Sequence, residues 1–206
     1  MGAYDQQQQF WISYRSALLG DKVLQAEMTG ALRELHRRYN STVWENRFVC
    51  GGVAEQVIGS SARALGLPAT NAGKTNQGYD LELAPGVGIS IKAEFAVNSS
   101  VTLVNTRGDA ENRTWDYATI FVLSERGIGY ADPEILLDAT TRTKDSIHIK
   151  VKWLLDFWKA NPGWVITSMD IPPKSTQPSA RVASDAISWD ILQDFPRLVA
   201  NFKPEV

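Results

Sequence analysis

Apolar residues in the first forty positions recur at helical spacing: Phe10, Trp11, Tyr14 and Leu18 share one face, and Leu24, Met28, Leu35 and Tyr39 share another. Gly20-Asp21 separates the two runs, and Asp21 suits the N-cap of the second because its carboxylate can accept from an unsatisfied first-turn amide. Residues 1–45 are therefore predicted to be a helical lead-in whose apolar faces serve packing, with a dimer interface as the functional alternative. From Gly51-Gly52 onward, Ala54, Ile58, Ala62 and Leu65 mark a third helix closed by Gly66-Leu67-Pro68. Glu55 lies on the margin of that apolar stripe, where a helix meets whatever it covers, so its carboxylate can reach a site without deep burial.

Past the polar, glycine-containing stretch 71–78 the period shortens to two. Tyr79-Asp80-Leu81-Glu82-Leu83 and Ile89-Ser90-Ile91-Lys92-Ala93-Glu94-Phe95 both alternate, and Ala84-Pro85-Gly86-Val87-Gly88 between them is short enough for an antiparallel hairpin. Residues 100–106, 118–124 and 128–131 supply further strands, and 118–123, the most continuously apolar of them, belongs at the centre of a sheet. Trp153, Leu154, Phe157 and Trp158 mark a helix stopped by Asn161-Pro162-Gly163; Val165 and Ile166 start another strand. After the loop 172–179, a closing helical segment covers about 184–201. This order predicts an α/β fold: a central mixed β-sheet of five or more strands flanked by helices, within one domain over 1–206. Residues 50–170 form its core and 171–206 a loop and C-terminal helix.

Composition narrows the chemistry. A net charge of −2 gives no global attraction to nucleic acid, so any such contact must come from local clusters such as Arg107 and Arg113. With one cysteine, Cys50, and two histidines, His36 and His148, no zinc-finger or His-Asn-His spacing exists. Cys50 reads as a small buried residue, the two histidines as structural, and the seven Trp as core. The N-terminus lacks a basic-then-apolar leader and no apolar run is long enough to span a bilayer, so a cytoplasmic protein without membrane contact is expected. Sequons beginning at Asn40, Asn98 and Asn112 then carry no glycan.

If Asp80 ends one strand and Lys92 lies on its neighbour, the pleat points Ser90, Lys92 and Glu94 to one face, with Glu55 arriving from the covering helix. Carboxylates that hold a metal, beside a cation near the attacking water, are what phosphodiester hydrolysis needs. From Val53 to Phe95, the Glu55 helix, the Gly-Tyr-Asp strand start at Asp80, the turn, and the Ile-Ser-Ile-Lys strand ending in Lys92 resemble the PD-(D/E)XK nuclease superfamily, which includes type II restriction enzymes. The resemblance implies a restriction-endonuclease-like core and a Mg²⁺-dependent endonuclease, with Mn²⁺ able to substitute, acting on double-stranded DNA as a homodimer. By the same resemblance Asp80 is the metal-binding aspartate, Lys92 the lysine that orients or activates water, and Glu55 the helix glutamate. Ser90 departs from the pattern, because the family usually has an acid two residues before the lysine. Glu55, then Glu94, then Glu82 are the candidates to replace that carboxylate.

DNA contacts are expected from Lys74, Asn76 and Gln77 in the polar loop and from Asn98, Ser99, Arg107 and Arg113 past the hairpin, since amides, hydroxyls and cations are the usual partners of phosphates and base edges. Lys144, His148, Lys150 and Lys152 alternate in a basic segment that reads as an edge strand protected by charge or as a backbone-tracking element. Two other classes of function stay open: a non-catalytic subunit of the same fold that binds DNA or a partner, and an interaction domain marked by an exposed tryptophan cluster.

Overall fold

The computed structural model describes residues 2–39, 46–72, 78–95, 100–105, 114–136, 139–173 and 184–203. Two helices, α1 (Asp5–Gly20) and α2 (Lys22–Arg38), open the chain as predicted, and Asp21 caps α2 by accepting from the Leu24 amide at 2.9 Å. Helix α3 (Arg47–Ala64) starts earlier than expected, with Gly51 and Gly52 inside it instead of in front of it. These glycines sit where packing, not propensity, holds the helix: Val49, Cys50, Val53, Val57, Ile58 and Ala62 are all buried.

A mixed six-stranded sheet follows, in the order β1 (Thr70–Asn71), β2 (Leu81–Ala84), β3 (Val87–Glu94), β5 (Thr119–Leu123), β6 (Gly127–Ala131), β9 (Val165–Ile166). The β2–β3 hairpin is antiparallel through a two-residue Pro85-Gly86 turn, with Gly86 at φ 76° in the position that favours glycine, so Val87 and Gly88 belong to the strand and not to the turn. Strands β3 and β5 pair in parallel, and every residue of β5 is buried, which is the central position its apolar run predicts.

The sheet separates two cores. Ile89, Ile91, Ile120, Val122 and Tyr130 face a core built with α1, α2 and α3, together with the C-terminal helices α5 (Ser184–Leu192) and α6 (Pro196–Val199). Phe121 and Leu123 face a second core shared with helix α4 (Val151–Ala160) and a separate three-stranded sheet, β4 (Ser100–Asn105), β8 (Ser146–Lys150) and β7 (Thr140–Arg142). The strand at 100–106 was expected, but its pairing with β8 and β7 into a separate sheet has no counterpart in the local sequence pattern. Because β8 pairs with β4 on one side and β7 on the other, His148 and Lys150 lie on a central strand and Lys152 in α4, correcting the edge-strand expectation.

The closing helical segment is also two helices instead of one, interrupted before Pro196, whose missing amide is tolerated at the start of α6. Phe195 at that break seats on Gly30 of α2, where a β-carbon would come within 2.6 Å of its ring. Arg63 ties α3 to the same region: its guanidinium donates to Asn201 O at 2.7 Å, Ala69 O at 3.0 Å and Ser60 Oγ at 3.2 Å. Among the described residues no helix is long and apolar enough to cross a membrane.

Candidate functional site

The hairpin register decides which side chains meet. Leu81 lies opposite Ile89, so Asp80, one residue before β2, faces Ser90 across the pair, on the same side of the sheet. The Ser90 hydroxyl donates to Asp80 Oδ2 at 2.9 Å, and the Ile91 amide donates to the same oxygen at 2.5 Å. The second bond has a structural origin. The backbone of Asp80 still belongs to the ladder, donating to Ile89 O at 3.1 Å and accepting from the Ala72 amide at 2.9 Å, but the chain preceding it turns away. The carboxylate therefore takes over the acceptor position that the departing backbone leaves open beside Ile91.

Two rings fix that departure. Tyr117 lies directly on Gly78 and Tyr79 on Gly88; a β-carbon on either glycine would fall about 2 Å from ring atoms. Only glycine admits such close stacking, so Gly78 serves the site by letting the strand diverge beneath Tyr117. Thr119, paired with Ser90 in β5, completes the floor: its hydroxyl accepts from Trp115 Nε1 at 3.2 Å and donates to Tyr117 O at 3.1 Å.

Lys92 pairs with Phe121 and Glu94 with Leu123, which puts both on the face of Asp80 and Ser90, one and two strand repeats further along. Lys92 is half-buried, and among the described residues no hydrogen bond or ion pair engages its ammonium. Glu94 is likewise half-buried. Glu55 sits differently. It lies on the stripe Gly51, Glu55, Gly59 of α3, and Gly59 packs against Leu81 closely enough that a β-carbon would come within 3.0 Å of Cδ2. That stripe crosses β2 one residue from Asp80, but on the sheet face opposite Ser90 and Lys92. The way from Glu55 to the pair is past the end of β2, where Asp80 alone continues the ladder.

Thus the structure joins Asp80 directly to Ser90, aligns Lys92 and Glu94 with them, and sets Glu55 on the helix of the other layer. Among the described residues no three of His, Cys, Asp and Glu form a group that could hold a metal by themselves. An oriented aspartate with one further carboxylate still suits Mg²⁺, which keeps several waters and takes one or two carboxylates plus substrate phosphate oxygens. Lys74, Asn76, Gln77, Asn98, Ser99, Arg107 and Arg113 lie outside the described residues.

The role of Ser90 as donor to Asp80 was missed in the sequence: a regular two-residue turn at Pro85-Gly86 would set Asp80 opposite position 91, and the one-residue register shift between Glu82 and Ala84 brings Ser90 there instead. A second carboxylate also escaped notice. Asp132 is fully buried and accepts from Tyr130 Oη at 2.8 Å, Gln8 Nε2 at 3.0 Å, and the Glu134 and Ile135 amides at 2.9 Å each. Its bonds all serve the turn after β6 and the seating of α1, which makes it architectural.

Cys50 is buried, and burial pushes its thiol up to about 11, away from nucleophilic use. His148, on the exposed face of the second sheet, contacts Thr102 Oγ1 at 3.2 Å and Ser146 Oγ at 2.5 Å. The tryptophans are not all core: Trp11 and Trp158 are buried, whereas Trp153 on α4 and Trp189 on α5 are half exposed, on helices of opposite layers and so not one cluster. Neither the family models nor the curated proteins compared with this chain gave a match.

Proposed function

We propose that this protein is a metal-dependent endonuclease that hydrolyses phosphodiester bonds of double-stranded DNA, most similar in kind to a type II restriction enzyme. The observation that carries the reading is the held carboxylate of Asp80, bonded by Ser90 and the Ile91 amide on the face that also bears Lys92. In this reading Asp80 holds Mg²⁺ or Mn²⁺, with Glu55 or Glu94 as second carboxylate. The bound cation supplies Lewis-acid polarisation of the scissile phosphate. Lys92 orients the attacking water and offsets the charge gathering on the phosphoryl oxygens, and Ser90 keeps Asp80 in register for both. Cutting both strands of a symmetric site calls for two copies of the chain related by a twofold axis, acting in the cytoplasm where such DNA is met.

Purified protein is expected to cleave plasmid or phage DNA with MgCl₂, and EDTA, Asp80→Asn or Lys92→Ala is expected to abolish cleavage. Persistent cleavage by both folded variants would place the chemistry elsewhere. A non-catalytic DNA-binding or partner-binding subunit of the same fold is the second reading, favoured by Ser90 itself: a hydroxyl stands where an acid is usual and is engaged in a structural cross-strand bond. Gel retardation of duplex DNA without Mn²⁺ binding or cleavage would decide for it.

A further inference from the structure

The far edge of the main sheet holds a feature that the nuclease reading does not use. A cavity of about 520 Å³ opens between α1, α4, the β5–β6 turn and β9. Its size falls within the range typical of small-molecule sites. Arg15 enters from α1, Lys159 from α4 and Arg126 from the turn, against one carboxylate, Glu125. The lining therefore carries a local charge of +2 (three cations less one anion) in a chain whose net charge is −2. Cations drawn from three separate elements onto one cleft focus positive potential in it, and two of the three are arginines, the side chain best shaped for phosphate oxygens.

Backbone bonds fix two of the lining residues. Arg15 Nε donates to Val165 O at 3.0 Å, which anchors the guanidinium at the strand edge. Glu125 adopts φ 57°, a left-handed conformation costly for a residue with a β-carbon, and its amide donates to Ile171 O at 3.0 Å. The tight β5–β6 turn sets that conformation, since the Arg126 amide donates to Leu123 O at 3.1 Å. Between the charges, Leu155 and the buried ring of Trp158 give the cavity an apolar floor. Its β9 wall stands three strand spacings from β3 in the sheet order, on the order of 14 Å, while its β5–β6 turn follows the strand that pairs with β3.

We propose that this cleft binds a small organic phosphate, its phosphate held by Arg15, Arg126 and Lys159 and its apolar or planar body resting over Leu155 and Trp158. This inference does not depend on the nuclease reading. Adenosine monophosphate serves as the probe, titrated calorimetrically in EDTA against wild type, Arg126→Glu, Lys159→Glu and Asp80→Asn. Both charge-reversed side chains are exposed, and the milder Arg126→Gln and Lys159→Gln pair guards against misfolding. The expected result is saturable binding without metal, weakened about tenfold or more by each reversal and unchanged by Asp80→Asn.

Four outcomes would overturn the proposal. They are no saturable binding of AMP or inorganic phosphate up to about 10 mM, equal binding by the reversed variants, equal affinity for adenosine without its phosphate, and reversal-sensitive binding of a duplex oligonucleotide alone. The last would assign the cations to DNA backbone phosphates instead.

Discussion

His36 offers a test in which sign and size both follow from the structure. It is buried on α2, its ring packs edge-on to Phe95 with centroids 4.2 Å apart, and neither ring nitrogen has a hydrogen-bond partner among the described residues. Burial lowers the imidazole from 6.5 to about 4, because the charged form would lose its hydration without gaining a partner. Between those two values the unfolded chain binds a proton that the folded protein refuses, so stability is complete above pH 6.5 and falls as the pH drops toward 4. At about 1.4 kcal/mol per pH unit, the ceiling on that loss is about 3 kcal/mol. Glu34, held at about 2 by its bonds with Arg37 and Arg38, loses its own contribution only as the pH falls below about 4.5, and that loss is common to variant and wild type and cancels in their difference. His36→Leu keeps the volume, removes the titration and removes the two unsatisfied nitrogens. Urea unfolding at pH 7, 6, 5 and 4.5 should show the stability difference, variant minus wild type, widening steadily as the pH falls. A constant difference across the series would refute the reasoning.

Two further outcomes follow from the same bond inventory. Ser90→Ala should lower stability by about 1.5 kcal/mol through the lost bond to a charged acceptor, and should weaken Mn²⁺-supported cleavage about 10–100-fold, as loss of a residue that orients a metal ligand does; Ser90→Thr, which restores a hydroxyl, should recover most of it, and equal activity of Ala and Thr variants would remove Ser90 from the site. Arg63→Met should cost about 3 kcal/mol in thermal or chemical unfolding, because it strips a donor from the Asn201 and Ala69 carbonyls; a change below about 0.5 kcal/mol would show that water replaces it without loss.

Much of the architecture was legible along the chain. Spacing of Phe10, Trp11, Tyr14 and Leu18, the Asp21 cap, the β2–β3 hairpin and the largely apolar β5 are local signals, set by periodicities of 3.6 and 2 that the backbone imposes on neighbours. The shared face of Asp80, Ser90, Lys92 and Glu94 follows from that same alternation plus a short turn. What needed tertiary structure is whatever joins distant segments. The pairing of β4 with β8 spans more than forty residues, and no local pattern distinguishes a central strand of a second sheet from an exposed edge. Likewise, sequence places Glu55 on a helix margin, but only the layering of α3 decides that it stands on the opposite face from Lys92. The cationic cleft is the extreme case: Arg15, Arg126 and Lys159 are unremarkable surface residues one at a time, and they acquire a common purpose only because α1 and α4 close over one edge of the sheet. Side-chain alternation is written in the sequence; the convergence of charges from separate elements is decided by packing.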